Sequence, residues 1–128
     1  MRTYVISDIH GDYDRFMEML GLIEFTESDT LYVLGDVIDR GKKGIEILEY
    51  IMEHKNILMV KGNHEYMMQE SFLENGHDID RKSRSFKLWM RNGGKPTLDS
   101  LLYKRNSSER SKIYEFIKGL PLFYDNIE

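Results

Sequence analysis

Leu31-Tyr32-Val33-Leu34 runs straight into Gly35-Asp36-Val37-Ile38-Asp39-Arg40-Gly41. The apolar run is continuous rather than alternating, which is the pattern of a strand covered on both faces of a sheet. The carboxylates, arginine and glycines that follow without a spacer place a polar loop at the carboxyl end of that strand. The same arrangement occurs twice more. Tyr4-Val5-Ile6 leads into Asp8-Ile9-His10-Gly11, and Ile57-Leu58-Met59-Val60 leads into Gly62-Asn63-His64-Glu65.

Between these runs lie segments of helical period. Phe16, Met19, Leu20 and Ile23 share one face of the first, and Gly41, Ile45, Leu48 and Met52 share one face of the second. Strand–helix–strand–helix–strand with short connections predicts parallel pairing through right-handed crossovers. The fold class is therefore α/β. Past Glu65 the strands give way to helices. Tyr66 to Leu73 continues as one, and Phe86, Trp89 and Met90 mark a second, ended by Asn92-Gly93-Gly94. Pro96 to Tyr103 forms a third, with proline near the first turn, where it is tolerated. Ile113, Phe116, Ile117 and Leu120 mark a fourth. Asn75 to Asp80 reads as an exposed loop, and Leu122-Phe123-Tyr124 as the start of another strand.

With 128 residues, 41% of them hydrophobic and 31% charged, the chain suits one soluble domain. No apolar run reaches the roughly 20 residues of a membrane span, and the N-terminus has no signal-peptide pattern. The expectation is no membrane partner and a cytoplasmic location. The absence of cysteine excludes thiolate ligands and disulfides and agrees with that location. A net charge of −4 argues against a nucleic-acid partner. Arg81-Lys82-Ser83-Arg84 reads as a solvated loop face.

In an open parallel sheet, ligands bind beyond the carboxyl ends of the strands, so the three motifs should meet on one rim. Asp8 and His10, two residues apart on an extended loop, can turn both side chains toward one metal ion. Asp36 can bridge two metals through its two oxygens, and Asn63 can offer a carbonyl oxygen to the second. Oxygen and imidazole ligands without sulfur suit manganese, iron, zinc or a similar divalent ion. Taken singly, each feature has an ordinary structural explanation. A carboxylate can cap the helix after it, and an Asp-Arg pair can be a surface ion pair. Their joint occurrence at three successive strand ends favours a metal-dependent site.

The three motifs resemble those of the calcineurin-like metallophosphoesterases, in particular the phosphoprotein phosphatases of small bacterial and bacteriophage serine/threonine type. The diadenosine-tetraphosphatase subgroup shares them. The likeness runs from Arg2 to about Asn126 and includes Trp89…Asn92-Gly93-Gly94…Thr97, similar to a stretch of the phage-type enzymes. Ser7 stands where the family usually has glycine. The resemblance implies the N-terminal part of a two-sheet sandwich with flanking helices, βαβαβ followed by a helical cap. It implies two divalent metal ions, manganese first, with iron, zinc or nickel as the other candidates. Asp8, His10 and Asp36 would hold the first, and Asp36 and Asn63 the second. His64 would act as general acid with Asp39 orienting it, and Arg40 would grip the phosphate. A hydroxide shared by the metals would attack phosphorus. The substrate would be a phosphoprotein or a small phosphoester, with a diadenosine tetraphosphate as the alternative.

The family pattern also calls for two later histidines on the second metal. His54 and His77 lie in no matching motif, so neither is expected to be a ligand. Residues 1–128 are therefore expected to form an incomplete metallophosphoesterase domain, its first metal site complete and its second not. The uncompleted sheet face would be open to association. A truncated active enzyme and a short, catalytically silent binding or regulatory form are the two explanations.

Overall fold

The computed structural model describes residues 1–122. Its elements are β1 (Thr3–Ile6), α1 (Tyr13–Leu22), β2 (Thr30–Val33), α2 (Gly44–Met52), β3 (Ile57–Met59), α3 (Asn63–Glu70), α4 (Arg84–Arg91), α5 (Lys95–Tyr103) and α6 (Ser107–Lys118). The three strands form one parallel sheet in the order β1-β2-β3. Tyr4 pairs with Leu31 and Ile6 with Val33, and Leu31 and Val33 continue to Ile57 and Met59. The predicted βαβαβ unit followed by helices is thus present. The strand expected from Leu122 to Tyr124 falls mostly outside the described residues.

Among the described residues the sheet is packed on one face, in keeping with the expected uncompleted face. Leu31, Val33, Ile57 and Met59 are buried with Phe16 and Leu20 of α1 and Ile45, Leu48 and Ile51 of α2, and Tyr4 and Ile6 pack against this cluster. Val5, Tyr32 and Leu58 share the opposite face through the register and lie outside the cluster, Val5 being 47% exposed. The continuous apolar runs matched a sheet covered on both sides, whereas the described residues supply cover for one.

Two helix boundaries also move. Gly41 belongs to no helix, because its N–H donates to the His10 carbonyl and a Cβ there would lie 2.4 Å from that same oxygen. Helix α2 starts three residues later. Helix α3 ends at Glu70 rather than Leu73, since the chain folds back through an antiparallel bridge between Phe72 and Ile79. The Asn75 side chain closes that turn by accepting the N–H groups of His77 and Asp78. Ser83 accepts the N–H of Phe86 and starts α4. Trp89 of α4, Leu98 and Leu101 of α5 and Ile113 and Ile117 of α6 complete the core.

Candidate active site

The three loops leave the sheet at its carboxyl edge and meet there. Ligand atoms of Asp8, His10 and Asp36 lie within 4.8 Å of one another. The His10 Nδ1 lies 3.0 Å from the Ile38 carbonyl, which can only accept, so Nδ1 carries the proton and Nε2 presents its lone pair. One oxygen of Asp36 accepts the His64 N–H at 3.1 Å and so caps α3 from outside that helix, leaving the other oxygen available. Two carboxylates and an imidazole of this orientation fit a divalent cation of the oxygen- and nitrogen-loving kind. Asn63 opens α3 next to His64 and is exposed.

Backbone strain is concentrated here. Among the described residues, six other than glycine have positive φ, and five of them are Asp8, His10, Asp36, Asp39 and Arg40, at 57°, 45°, 56°, 76° and 69°. Left-handed backbone of this kind persists where surrounding contacts over-determine it. One such contact is the Gly11–Gly41 crossing, where a Cβ on Gly11 would lie 2.6 Å from the Gly41 carbonyl carbon. The first and second loops can approach this closely only because neither has a side chain.

The remaining constraint is Glu65, which is fully buried. One carboxylate oxygen accepts the N–H of Asp36 at 2.7 Å and of Gly62 at 2.9 Å; the other accepts Val37 at 2.9 Å and Ile38 at 3.4 Å. This one side chain therefore ties the second loop to the third. Burial pushes its carboxyl up from the ordinary range, while the backbone N–H groups of Asp36, Val37 and Gly62 pull it down.

His64 and Asp39 form a buried pair, with Nδ1 to Oδ2 at 2.6 Å. Asp39 also accepts the Trp89 indole N–H at 2.9 and 3.0 Å and the Thr97 hydroxyl at 2.7 Å. Burial raises the Asp39 carboxyl, and its bonds from His64, Thr97 and Trp89 oppose that rise. The His10 and His64 rings meet edge to face at 4.7 Å, which sets the His64–Asp39 pair directly beside the candidate metal ligands. Arg40 is exposed and forms no ion pair among the described residues, and its own N–H donates to the Gly93 carbonyl.

The structure thus brings Asp8, His10, Asp36, Asp39 and His64 together, with Asn63 and Arg40 on the same loops. His54 bonds the Tyr50 carbonyl and stacks on that ring, and His77 lies in the 71–80 turn, both apart from this group. Sequence reasoning assigned no site role to Glu65, Trp89 or Thr97. All three stood inside the recognised motifs, which was the available signal. A cavity of about 740 Å³ lined by Met52, His77, Lys112 and Phe116 contains none of the motif residues, while one of about 300 Å³ adjoins Asp8, Ile9 and Asp12.

Comparison with known proteins agrees with this geometry. The family model described as calcineurin-like phosphoesterase matches residues 1–125. Symmetrical bis(5'-nucleosyl)-tetraphosphatases from Salmonella arizonae and Salmonella typhimurium are each 40% identical over 67 residues, 51% of this chain and 24% of theirs. The chain therefore matches about a quarter of the length of these curated relatives. Among solved structures, a metallophosphoesterase from Sphaerobacter thermophilus superposes with a TM-score of 0.59 at 20% identity, over 94% of this chain and 41% of that one. A protein serine/threonine phosphatase from Saccharomyces cerevisiae gives 0.56 at 17% identity, over 95% and 37%. At such identities the likeness is one of fold.

Proposed function

The chain belongs to the calcineurin-like phosphoesterase family, and on that premise we propose that it serves metal-dependent hydrolysis of phosphoester bonds. The observation that carries this reading is the placement of three ligand atoms within 4.8 Å of one another beside a buried His64–Asp39 pair. Asp8, His10 and Asp36 would hold one divalent cation, and Asp36 and Asn63 would contribute to a second. Such cations, when bound, acidify water and neutralise charge on the transferring phosphoryl group. His64 holds its Nδ1 proton against Asp39, which orients the ring and leaves Nε2 to protonate the departing oxygen. Arg40, exposed beside the dyad, presents a planar fork suited to two phosphate oxygens.

For the substrate, phosphoserine and phosphothreonine esters are the first reading, from the resemblance of the three motifs. A dinucleoside tetraphosphate is the second, favoured by the 40% identity to the symmetrical tetraphosphatases. Both end in the same chemistry, an oxygen leaving phosphorus with a proton from His64.

The test is turnover of p-nitrophenyl phosphate, a phosphothreonine peptide and diadenosine tetraphosphate with added Mn²⁺, alongside metal content by elemental analysis. His64→Asn should lower turnover by about a hundredfold or more, the range a positioned general acid contributes, while metal content stays as in the parent. Full turnover in that variant would remove His64 from the acid role. The ranking of the two natural substrates chooses between the readings.

A further inference from the structure

We propose that the segment Trp89–Thr97 of the helical region is a positioning clamp for the acid–base pair, with Trp89 and Thr97 acting on His64 through Asp39. This rests on the phosphoesterase reading only for its catalytic consequence; the clamp itself is a matter of hydrogen bonds.

Asp39 lies in the loop after β2, and its partners come from 50 and 58 residues further along the chain. The Thr97 Oγ1 accepts the Asp39 backbone N–H at 3.0 Å. A hydroxyl has one proton, and with its oxygen engaged in this way that proton is directed to Asp39 Oδ1 at 2.7 Å. The Trp89 indole can only donate, and it does so to both carboxylate oxygens. Together they fix the carboxylate plane, and Oδ2 is left facing His64 Nδ1.

The rest of the segment is shaped for the same task. A Cβ on Gly94 would lie 2.6 Å from Trp89 Cδ1 and Nε1, so a side chain there would displace the indole. Gly93, at φ 91°, accepts the Arg40 N–H at 2.9 Å, and a Cβ on it would meet the Arg40 Cγ at 2.9 Å. Asp39 and Arg40 both have left-handed backbone. Such backbone is unfavourable for side chains larger than glycine, and here one segment holds both residues from outside the loop. A purely structural tryptophan needs one acceptor, and many would serve. This one is spent on the carboxylate that orients the proposed acid.

The experiment uses this chain labelled with ¹⁵N. Its single tryptophan gives one indole N–H signal. The imidazole proton on His64 Nδ1, bonded to a carboxylate at 2.6 Å, should be strongly deshielded and is assigned by its loss in His64→Asn. Thr97→Val should shift this proton and speed its exchange with solvent by about tenfold, the equivalent of one hydrogen bond. Thr97→Ser, which keeps the hydroxyl, should leave it as in the parent. An unchanged imidazole proton in folded Thr97→Val overturns the clamp. So does a parent indole N–H that exchanges as fast as a free one, a result needing no variant.

Turnover gives a second readout. Thr97→Val and Trp89→Phe should lower kcat about tenfold on phenyl phosphate and less on p-nitrophenyl phosphate, because the more basic leaving group depends more on its acid. KM should stay within about twofold. Equal losses on the two esters would mean general damage and overturn the proposal. No hydrolysis by the parent chain with Mn²⁺ would count against the phosphoesterase reading alone, since the imidazole and indole signals decide the clamp without turnover.

Discussion

Glu65 has no exposed surface and accepts four backbone N–H groups from two loops. An ionised carboxylate is acceptor-only, so it suits this cradle where an amide does not. Glu65→Gln turns an NH₂ group toward N–H donors and leaves at least one of them buried without a partner. The expected loss is about 3 kcal/mol in urea unfolding, the usual cost of breaking one side of a buried charged network. Metal affinity should fall with it, because Asp36 is held by the same carboxylate. A loss below about 1 kcal/mol would show that the loops hold their strained backbone without it.

At the scale of elements, the edge of the sheet depends on Asp29, the residue before β2. Its carboxylate accepts the N–H groups of Arg2 and Thr26 and the Thr26 hydroxyl, joining the start of β1 to the turn entering β2. The Thr26 N–H above all, and then the Arg2 N–H and the Thr26 hydroxyl, hold this carboxyl below its ordinary value of 3.8 against the opposing effect of burial. A depressed acid in the folded state stabilises the fold above the unfolded value and loses that contribution as pH falls through the folded one. Stability should therefore decline below pH 3.8. Asp29→Asn should flatten that part of the profile in urea unfolding followed at several pH values. An unaltered acid limb in the variant would assign the decline to other carboxylates.

For the molecule as a whole, the main physical feature among the described residues is a sheet face that no described helix covers. Val5 is 47% and Leu34 41% exposed, and Leu58 shares the Val5 face. Apolar surface of this kind gains by being covered, at about 25 cal/mol for each Å² removed from water. The expectation is concentration-dependent self-association of the 128-residue chain, weakened in a Val5→Thr, Leu58→Thr double variant, with threonine chosen to keep strand propensity. Sedimentation velocity over a concentration series reads this directly. A parent chain that sediments as a monomer throughout would remove the idea. Among the described residues no helix is long and apolar enough to cross a membrane.

The sequence alone determined the order of elements and the parallel sheet, and it named Asp8, His10, Asp36, Asn63, Asp39, Arg40 and His64 as candidate site residues. It could do so because each lies within a few residues of a strand end, where local spacing and the rules of parallel sheets already bring polar groups to one rim. Only the tertiary structure decided which groups hold these residues in place. Glu65 acts on Asp36 from 29 positions away, and Trp89 and Thr97 act on Asp39 from 50 and 58. A buried polar group must find its partner wherever packing delivers one, and no periodicity in the chain records that pairing. The apolar runs by themselves could not say which face would be covered, for a related reason. A continuous apolar strand shows that both faces are suited to burial, but what covers each face depends on where the helices lie, and among the described residues they lie on one.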